Sequence, residues 1–154
     1  MLNVEIVPAT QQHIELIIPR VRQRDIDEFQ ASNGWTARQV LECGLKISTV
    51  VCAGLINGEV VTVFGVAPAS MLGGAGCPWL VGTDALAKNQ KAFLRRCRHI
   101  VAAMLAIYPR LENYVDARNH VAKAWLHWLG FRLDDPAPYG VQGLPFHRFH
   151  LEKK

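Results

Sequence analysis

The sequence lacks the features that mark membrane, secreted and metal-binding proteins. Its longest apolar run, residues 48–55, is interrupted by Gly54 and is far shorter than the roughly 20 residues that cross a bilayer. The N-terminus has no basic segment followed by an apolar one, so we expect no signal peptide and a protein that stays in the cytosol. The four cysteines form no CxxC pair and no Cys/His ligand spacing, and we interpret them as free, buried thiols.

Charge is also sparse, at 19% of the residues, and 17 Lys and Arg against 13 Asp and Glu leave a net charge of +4. This excess of basic residues is too small to indicate either a nucleic acid or an acidic protein as the partner. Hydrophobic residues make up 50% of the chain, which provides a core and argues against disorder. A length of 154 residues is that of one domain, and we expect a single domain over residues 1–154.

The six histidines do not have the spacing of a metal site. His120 and His127 are seven residues apart on one predicted helix, whereas His147 and His150 lie on opposite faces of a predicted strand. We therefore predict no metal.

Hydrophobic periodicity predicts strands and helices that alternate along the chain. Thr10 and Thr36 have the residue type and position of helix N-caps, and Asn57-Gly58 is typical of a type I′ hairpin turn. The predicted strands are 3–7, 49–56, 59–66, 79–83, 111–115, 131–133 and 146–151, with two short helices after the first strand and further helices at 89–107 and 119–129. Residues 68–78 and 136–145 are predicted to be loops. This order favours an α/β (α+β) fold, a mixed antiparallel and parallel sheet with helices on both faces.

With this order of elements, residues 119–131, NHVAKAWLHWLGF, resemble the second conserved block of the GNAT family of acetyl-CoA-dependent N-acetyltransferases, which reads Asn-x-x-Ala, then tyrosine, then Gly-Phe. Within that fold the sequence more closely resembles the internal virion protein A family of short-tailed phages, through residues 77–84, the basic helix from Lys88, residues 113–115 and the aromatic C-terminal strand. That resemblance implies a virion protein, found in the virion and the host cytoplasm, that contacts other virion or assembly proteins.

Two elements of acetyltransferase chemistry are missing from the sequence. The segment 83–93 has no glycine where GNAT enzymes hold the pyrophosphate in a glycine-rich turn. Leu126 stands where the family commonly has the tyrosine that acts as general acid and protonates the CoA thiolate. A base could come from Asp84, Glu112 or Asp116, with Asp84 ranked first, although an Asp in that position more often caps a helix. We therefore expect a virion assembly protein that has the GNAT-like fold, performs no catalysis and binds no cofactor.

The alternative is an active N-acetyltransferase that binds acetyl-CoA through an altered phosphate loop. Its catalytic residues would be Asp84 and Tyr114, and its cofactor-binding residues would be Gly82, Thr83, Lys88, Asn89, Gln90, Lys91 and Asn119. The partner-contact residues of the first hypothesis are Arg95, Arg98, Trp125, Trp128 and Tyr139. Lys91, Arg95 and Arg98 share a helix face, but without interleaved aromatic residues nucleic-acid binding is the weaker alternative.

The two main hypotheses differ in the gap between the fourth and fifth strands, where GNAT enzymes bind CoA. Loss of catalysis predicts a gap filled by side chains such as Leu86, Trp125 and Leu126. An active enzyme predicts an open gap.

Overall fold

The computed structural model describes residues 2–69 and 74–154, and its strands form one sheet. The strands are β1 (Val4–Pro8), β2 (Val50–Ile56), β3 (Glu59–Pro68), β4 (Ala75–Gly82), β5 (Arg110–Asp116), β6 (Arg132–Leu133), β7 (Ala137–Tyr139) and β8 (Leu144–Glu152). The helices are α1 (Gln11–Ile17), α2 (Gln23–Ser32), α3 (Ala37–Ile47), α4 (Asp84–Lys88), α5 (Gln90–Ile107) and α6 (His120–Trp128), with a 3₁₀ turn at Ile18–Arg20. None of these helices is long and apolar enough to span a membrane.

The sheet has the strand order β1-β2-β3-β4-β5-β8-β6, and β7 pairs with β8. Every pair of neighbouring strands is antiparallel except β4 and β5, which are parallel. The β2–β3 hairpin turns at Asn57 and Gly58, whose φ angles are 50° and 80°, as the Asn-Gly signal predicts.

Helices cover both faces of this sheet because the side chains of a strand point alternately to its two sides. On one face Val63 and Val81 pack with residues of α1, α2 and α3, among them Ile14 and Leu41. On the other face Phe64 packs with residues of α5 and α6, in a core that contains Met104, Leu111, Phe131 and Phe149. The predicted mixed sheet with helices on both faces is confirmed.

Three predictions about elements were wrong. Three helices, not two, follow β1. The charged segment Gln23–Ser32 also forms a helix, α2, because it buries Phe29 and Ala31 on one side. Strand β4 begins at Ala75, inside the predicted loop 68–78, because Gly76 and Cys77 pair with the end of β3; residues 70–73 of that loop lie outside the described residues. Strand β7 lies inside the predicted loop 136–145, where Ala137 pairs with Phe146.

Strands β4 and β5 pair only at their first residues and then diverge. The two pairs are Ala75 with Arg110 and Gly76 with Leu111. Pro78, two residues further along β4, has no N–H to donate to a neighbouring strand. The sheet is therefore split toward the carboxyl ends of these strands, between residues 78–82 and 113–116, and we call this gap the fork.

Candidate functional site

The fork contains a cavity of about 420 Å³. Its apolar wall comes from β4, α5 and α6 and includes Leu80, Ile100, Val101 and Leu126, with Trp125 beside them. The gap is therefore open: Trp125 and Leu126 line the cavity, and Leu86 is fully buried in an adjoining cluster that reaches the cavity at Phe93. Openness is what the active-enzyme alternative predicts.

Much of the β4 backbone that faces the fork is already hydrogen-bonded. The Asn113 side chain donates from Nδ2 to the Pro78 carbonyl over 2.8 Å. Gly82 donates its N–H to Asp25 Oδ2 over 2.8 Å, and its carbonyl accepts the Arg22 N–H over 3.0 Å. Because main-chain groups alternate in direction along a strand, the N–H and carbonyl of Leu80 also face the cavity.

The polar side of the cavity is formed by the helix α2, which carries Arg22 at its N-cap, Asp25 and Glu28. Residues three apart on a helix lie on the same face, and this face of α2 points to the fork. Glu28 Oε1 accepts the main-chain N–H of Asp116, at the end of β5, over 2.7 Å. Helix α2 thus contacts both strands of the fork, β4 through Arg22 and Asp25 and β5 through Glu28.

Burial of Glu28 raises its pKa from 4.5 to about 7, and the nearby carboxyls of Asp25 and Asp116 act in the same direction. The hydrogen bond from the Asp116 N–H opposes this shift, because it stabilises the carboxylate. A carboxyl with such a pKa is present in both protonation states at neutral pH, which is the property required of a general base.

Arg22 and Asp25 form a buried ion pair beside Glu28, with Nε of Arg22 2.9 Å from Oδ2 of Asp25. Their side chains are 7% and 3% exposed, so water screens this pair little. Burial raises the pKa of Asp25 although Arg22 lies next to it. The sequence did not lead us to Arg22, Asp25 or Glu28. The pattern that could have indicated them is three charged residues, spaced three apart, in the segment that also buries Phe29.

Among the residues that the sequence suggested for an active enzyme, Tyr114 and Asn119 line the cavity. The Tyr114 ring stacks on Tyr139 with ring centroids 3.9 Å apart, and burial raises the pKa of the Tyr139 hydroxyl. Asn119 is the N-cap of α6 and accepts the Ala122 N–H through Oδ1. Two stacked tyrosine side chains and the buried Asn119 therefore line the cavity together with Glu28.

The other suggested residues lie outside this cavity. Asp84 is an exposed residue at the start of α4. Gly82 and Thr83 are buried and bonded internally, Thr83 through its hydroxyl to the Val61 carbonyl. Lys88, Asn89, Gln90 and Lys91 line a separate surface depression at the α4–α5 junction.

Gln90 is also joined to the wall of the fork. Its Oε1 accepts a hydrogen bond from Nε1 of Trp125 over 3.1 Å, which connects the start of α5 to α6. Asn89, between α4 and α5, has a φ of −121°, so this junction contains no left-handed turn of the kind that glycine favours. Any phosphate at this position would meet side chains rather than a glycine-rich backbone.

The suggested partner-contact residues divide into two groups. Trp125 and Tyr139 line the cavity. Arg95 is exposed on α5, and the Arg98 guanidinium lies 3.9 Å from the centroid of the Trp128 ring, which is 43% exposed. Arg98 and Trp128 therefore form a cation–π pair on the outer surface of α5 and α6.

All four cysteines are free, and each is partly buried. Cys77 and Cys97 line the cavity, and burial raises the pKa of each thiol to about 11. Both remain thiols at neutral pH, so neither is an activated nucleophile.

Comparison with solved structures identifies the fold. The chain is similar to the yncA protein of Salmonella typhimurium, solved with its cofactor acetyl-CoA, at 15% identity and a TM-score of 0.70 over 98% of this chain and 94% of that one. It is similar to the ribosomal-protein-S18-alanine N-acetyltransferase of Escherichia coli, at 14% identity and a TM-score of 0.69 over 97% and 94% of the two chains.

A third similar structure is RimL, a ribosomal L7/L12 alpha-N-protein acetyltransferase in complex with coenzyme A, at 10% identity and a TM-score of 0.72 over 97% of this chain and 94% of that one. The sequence matches no protein-family model and no curated protein. At these identities the likeness is one of fold, and the fold is that of the GNAT acetyltransferases, as the sequence predicts.

Proposed function

We propose that this protein is an N-acetyltransferase that binds acetyl-CoA in the fork and uses Glu28 as the base for its amine substrate. The observation that carries the proposal is the open cavity between β4 and β5, with a partly buried carboxyl, Glu28, of pKa about 7 in its wall. The fold likeness to enzymes solved with acetyl-CoA or CoA supports the same function.

The residues around the fork fit the chemistry of acetyl-CoA. The apolar wall of Leu80, Val101 and Leu126 matches the pantetheine arm, and the main-chain groups of Leu80 can pair with its amides. Lys88 and Lys91, at the α4–α5 junction, would hold phosphates through their ammonium groups, since the glycine cradle is absent. Bound there, acetyl-CoA supplies an activated thioester.

In the transfer, a C–N bond forms to the substrate amine as the C–S bond of the thioester breaks. The Glu28 carboxylate accepts the proton that the amine nitrogen loses, and its pKa of about 7 allows this at neutral pH. Tyr114 lines the same cavity, and its hydroxyl would supply the proton for the departing sulfur, the role that Leu126 cannot perform. The amine thus loses one proton and the sulfur gains one. Proton exchange through water then returns Glu28 to its carboxylate and Tyr114 to its hydroxyl form.

The direct test compares the wild type with Glu28→Gln in acetyl transfer to a panel of primary amines. We expect the substitution to lower kcat/KM by about 10²- to 10⁴-fold and to remove an ionisation near neutral pH from the pH profile, because Gln cannot accept the proton. Calorimetric affinity for acetyl-CoA should stay unchanged.

The matched control is Glu5→Gln, at an exposed position on β1, which should leave rate and pH profile as in the wild type. Equal pH profiles for the wild type and Glu28→Gln would contradict the assignment of the base.

The second candidate is a phage virion assembly protein of the same fold that performs no catalysis, binds no cofactor and acts in the virion and host cytoplasm. It is favoured by Leu126, by the glycine-free segment 83–93 and by the Gly82 backbone, which is already bonded to Arg22 and Asp25. The exposed Arg98–Trp128 pair, near Arg95, would contact other virion or assembly proteins. Titration with acetyl-CoA separates the two candidates: micromolar binding supports the enzyme, and no binding supports the assembly protein.

A further inference from the structure

The guanidinium of Arg22 is a buried cation in the wall of the fork, and its hydrogen-bonding capacity is largely unused. The side chain is 7% exposed and lines the cavity. Its Nε lies 2.9 Å from Asp25 Oδ2 but is not aligned for a hydrogen bond. Within residues 2–69 and 74–154, Asp25 is the single salt-bridge partner of Arg22, and that carboxylate also accepts the Gly82 N–H.

A second guanidinium lies near the first. Nε and Nη2 of Arg24 are buried, and no group among the described residues accepts a hydrogen bond from them. Burial and the neighbouring Arg22 both lower the pKa of Arg24, whereas Asp25 and Asp84 act in the opposite direction. Two guanidinium groups are therefore close enough to feel the charge of Asp25, and of the two it is Arg22 that pairs with Asp25 and lines the cavity. Leaving donors unpaired in a buried cation is costly, and an anionic ligand removes that cost.

We propose that Arg22 binds a carboxylate on the amine substrate, so that the acceptor is an amine that also carries a carboxyl group. The assignment of this ligand as the acceptor rests on the proposed acetyltransferase function; the binding of a carboxylate at Arg22 does not. Arg22 and Glu28 both line the cavity, so one molecule can contact both. A guanidinium holds a carboxylate through two parallel hydrogen bonds, which positions the substrate as well as attracting it.

The fork separates the two groups that the acceptor must reach. Glu28 is hydrogen-bonded to Asp116 at the end of β5, whereas Arg22 pairs with Asp25 beside Gly82 on β4, so the two side chains lie toward opposite strands of the fork. The amine and the carboxylate of an α-amino acid are too close together to reach both side chains. The acceptor class is therefore an amine separated from its carboxylate by an extended chain of several atoms.

The experiment is calorimetric titration of the protein, without acetyl-CoA, with three small molecules. Aminocaproate has an amine and a carboxylate at the ends of an extended chain, hexylamine has the same length without the carboxylate, and glycine has both groups close together. We expect aminocaproate to bind at least tenfold more tightly than either of the others. Equal affinities of aminocaproate and hexylamine would overturn the proposal.

Variants then locate the carboxylate. Arg22→Gln should weaken aminocaproate binding at least tenfold and leave hexylamine binding unchanged. Because Arg22→Gln leaves Asp25 buried without its cation, the double variant Arg22→Gln/Asp25→Asn is made as well, and it should be folded and show the same loss. Arg132→Gln, at an exposed position on β6, is the control and should bind as the wild type does. Full affinity in a folded double variant would also overturn the proposal.

The same molecules separate this inference from the proposed function. If aminocaproate binds through Arg22 but is never acetylated, the carboxylate site stands and the acetyltransferase proposal fails. If hexylamine is acetylated as efficiently as aminocaproate, the enzyme stands and the carboxylate preference fails.

Discussion

At the scale of residues, the site depends on a few charged side chains of α2 that the fold withdraws from solvent. Tyr114 and Asn119 could be suggested from the sequence, Asn119 because it opens the block that resembles the GNAT family and Tyr114 because it is a tyrosine on the strand before that block. Arg22, Asp25 and Glu28 could not, because a charged helix face is normally solvated and only the packing of α2 over the fork buries it.

The burial of Glu28 has a direct consequence for stability. Its pKa is about 7 in the folded protein and 4.5 as the ordinary value, so the folded state holds the proton more tightly. The contribution of Glu28 to the free energy of unfolding is therefore largest below its ordinary pKa and falls as pH rises through 7, by roughly 3 kcal/mol for a shift of this size.

Glu28→Gln removes this dependence, because Gln stays neutral and can still accept the Asp116 N–H. Relative to the wild type, the variant should gain stability between about pH 5 and about pH 8, by roughly 2 to 3 kcal/mol. Urea denaturation at both pH values measures this gain, and Glu5→Gln provides the exposed comparison. A constant difference between Glu28→Gln and the wild type would show that Glu28 titrates normally.

At the scale of elements, signals that act over a few residues were predictable from the sequence. Thr10 and Thr36 each cap a helix as expected, and each takes part in a reciprocal capping box with the residue three positions later. Elements that depend on distant partners were not predictable: β4 begins where its glycine- and proline-rich segment meets β3, and β7 exists because β8 lies beside it. Local composition carries no information about either partner.

The capping box at Thr36 makes a measurable contribution to α3. Its hydroxyl accepts the Gln39 N–H over 3.2 Å, and Gln39 Oε1 accepts the Thr36 N–H over 2.9 Å. Thr36→Ala should lower the free energy of unfolding by about 1 kcal/mol, measured by urea denaturation. Thr36→Ser keeps the hydroxyl and should retain most of the stability; an equal loss in both variants would mean that the methyl group, not the cap, matters.

At the scale of the whole molecule, the order of elements determined the sheet but not the state of the fork. The sequence predicted a mixed sheet between two layers of helices, because alternating patterns and connection lengths restrict the topology. It did not decide whether the gap between β4 and β5 was filled, since the large side chains Trp125, Leu126 and Leu86 were compatible with a filled gap and with an open one. In the structure Trp125 and Leu126 form part of the wall, and Leu86 is buried in the adjoining cluster against which Trp125 packs.

Occupation of the fork should stabilise the whole fold. A ligand that binds only the folded state at 100 times its Kd adds about 2.7 kcal/mol to the free energy of unfolding, so acetyl-CoA should raise Tm in a concentration-dependent way. Lys88→Ala and Lys91→Ala should each need more acetyl-CoA for the same shift, because each removes a cation from the α4–α5 junction. Lys46→Ala, exposed on α3, is the control. Identical shifts in all three variants would place the phosphates elsewhere.

Helix α2 touches β4 at Gly82 through Asp25 and β5 at Asp116 through Glu28, so a single turn of helix bridges the split in the sheet. A residue inserted between Asp25 and Glu28 would rotate the second contact by about 100° and break it, while a full extra turn would push it about 5.4 Å further along. The distance between β4 and β5 at the fork therefore depends on the number of residues between Asp25 and Glu28. Loops around the fork can change in length, whereas this stretch of helix can be substituted but not lengthened or shortened.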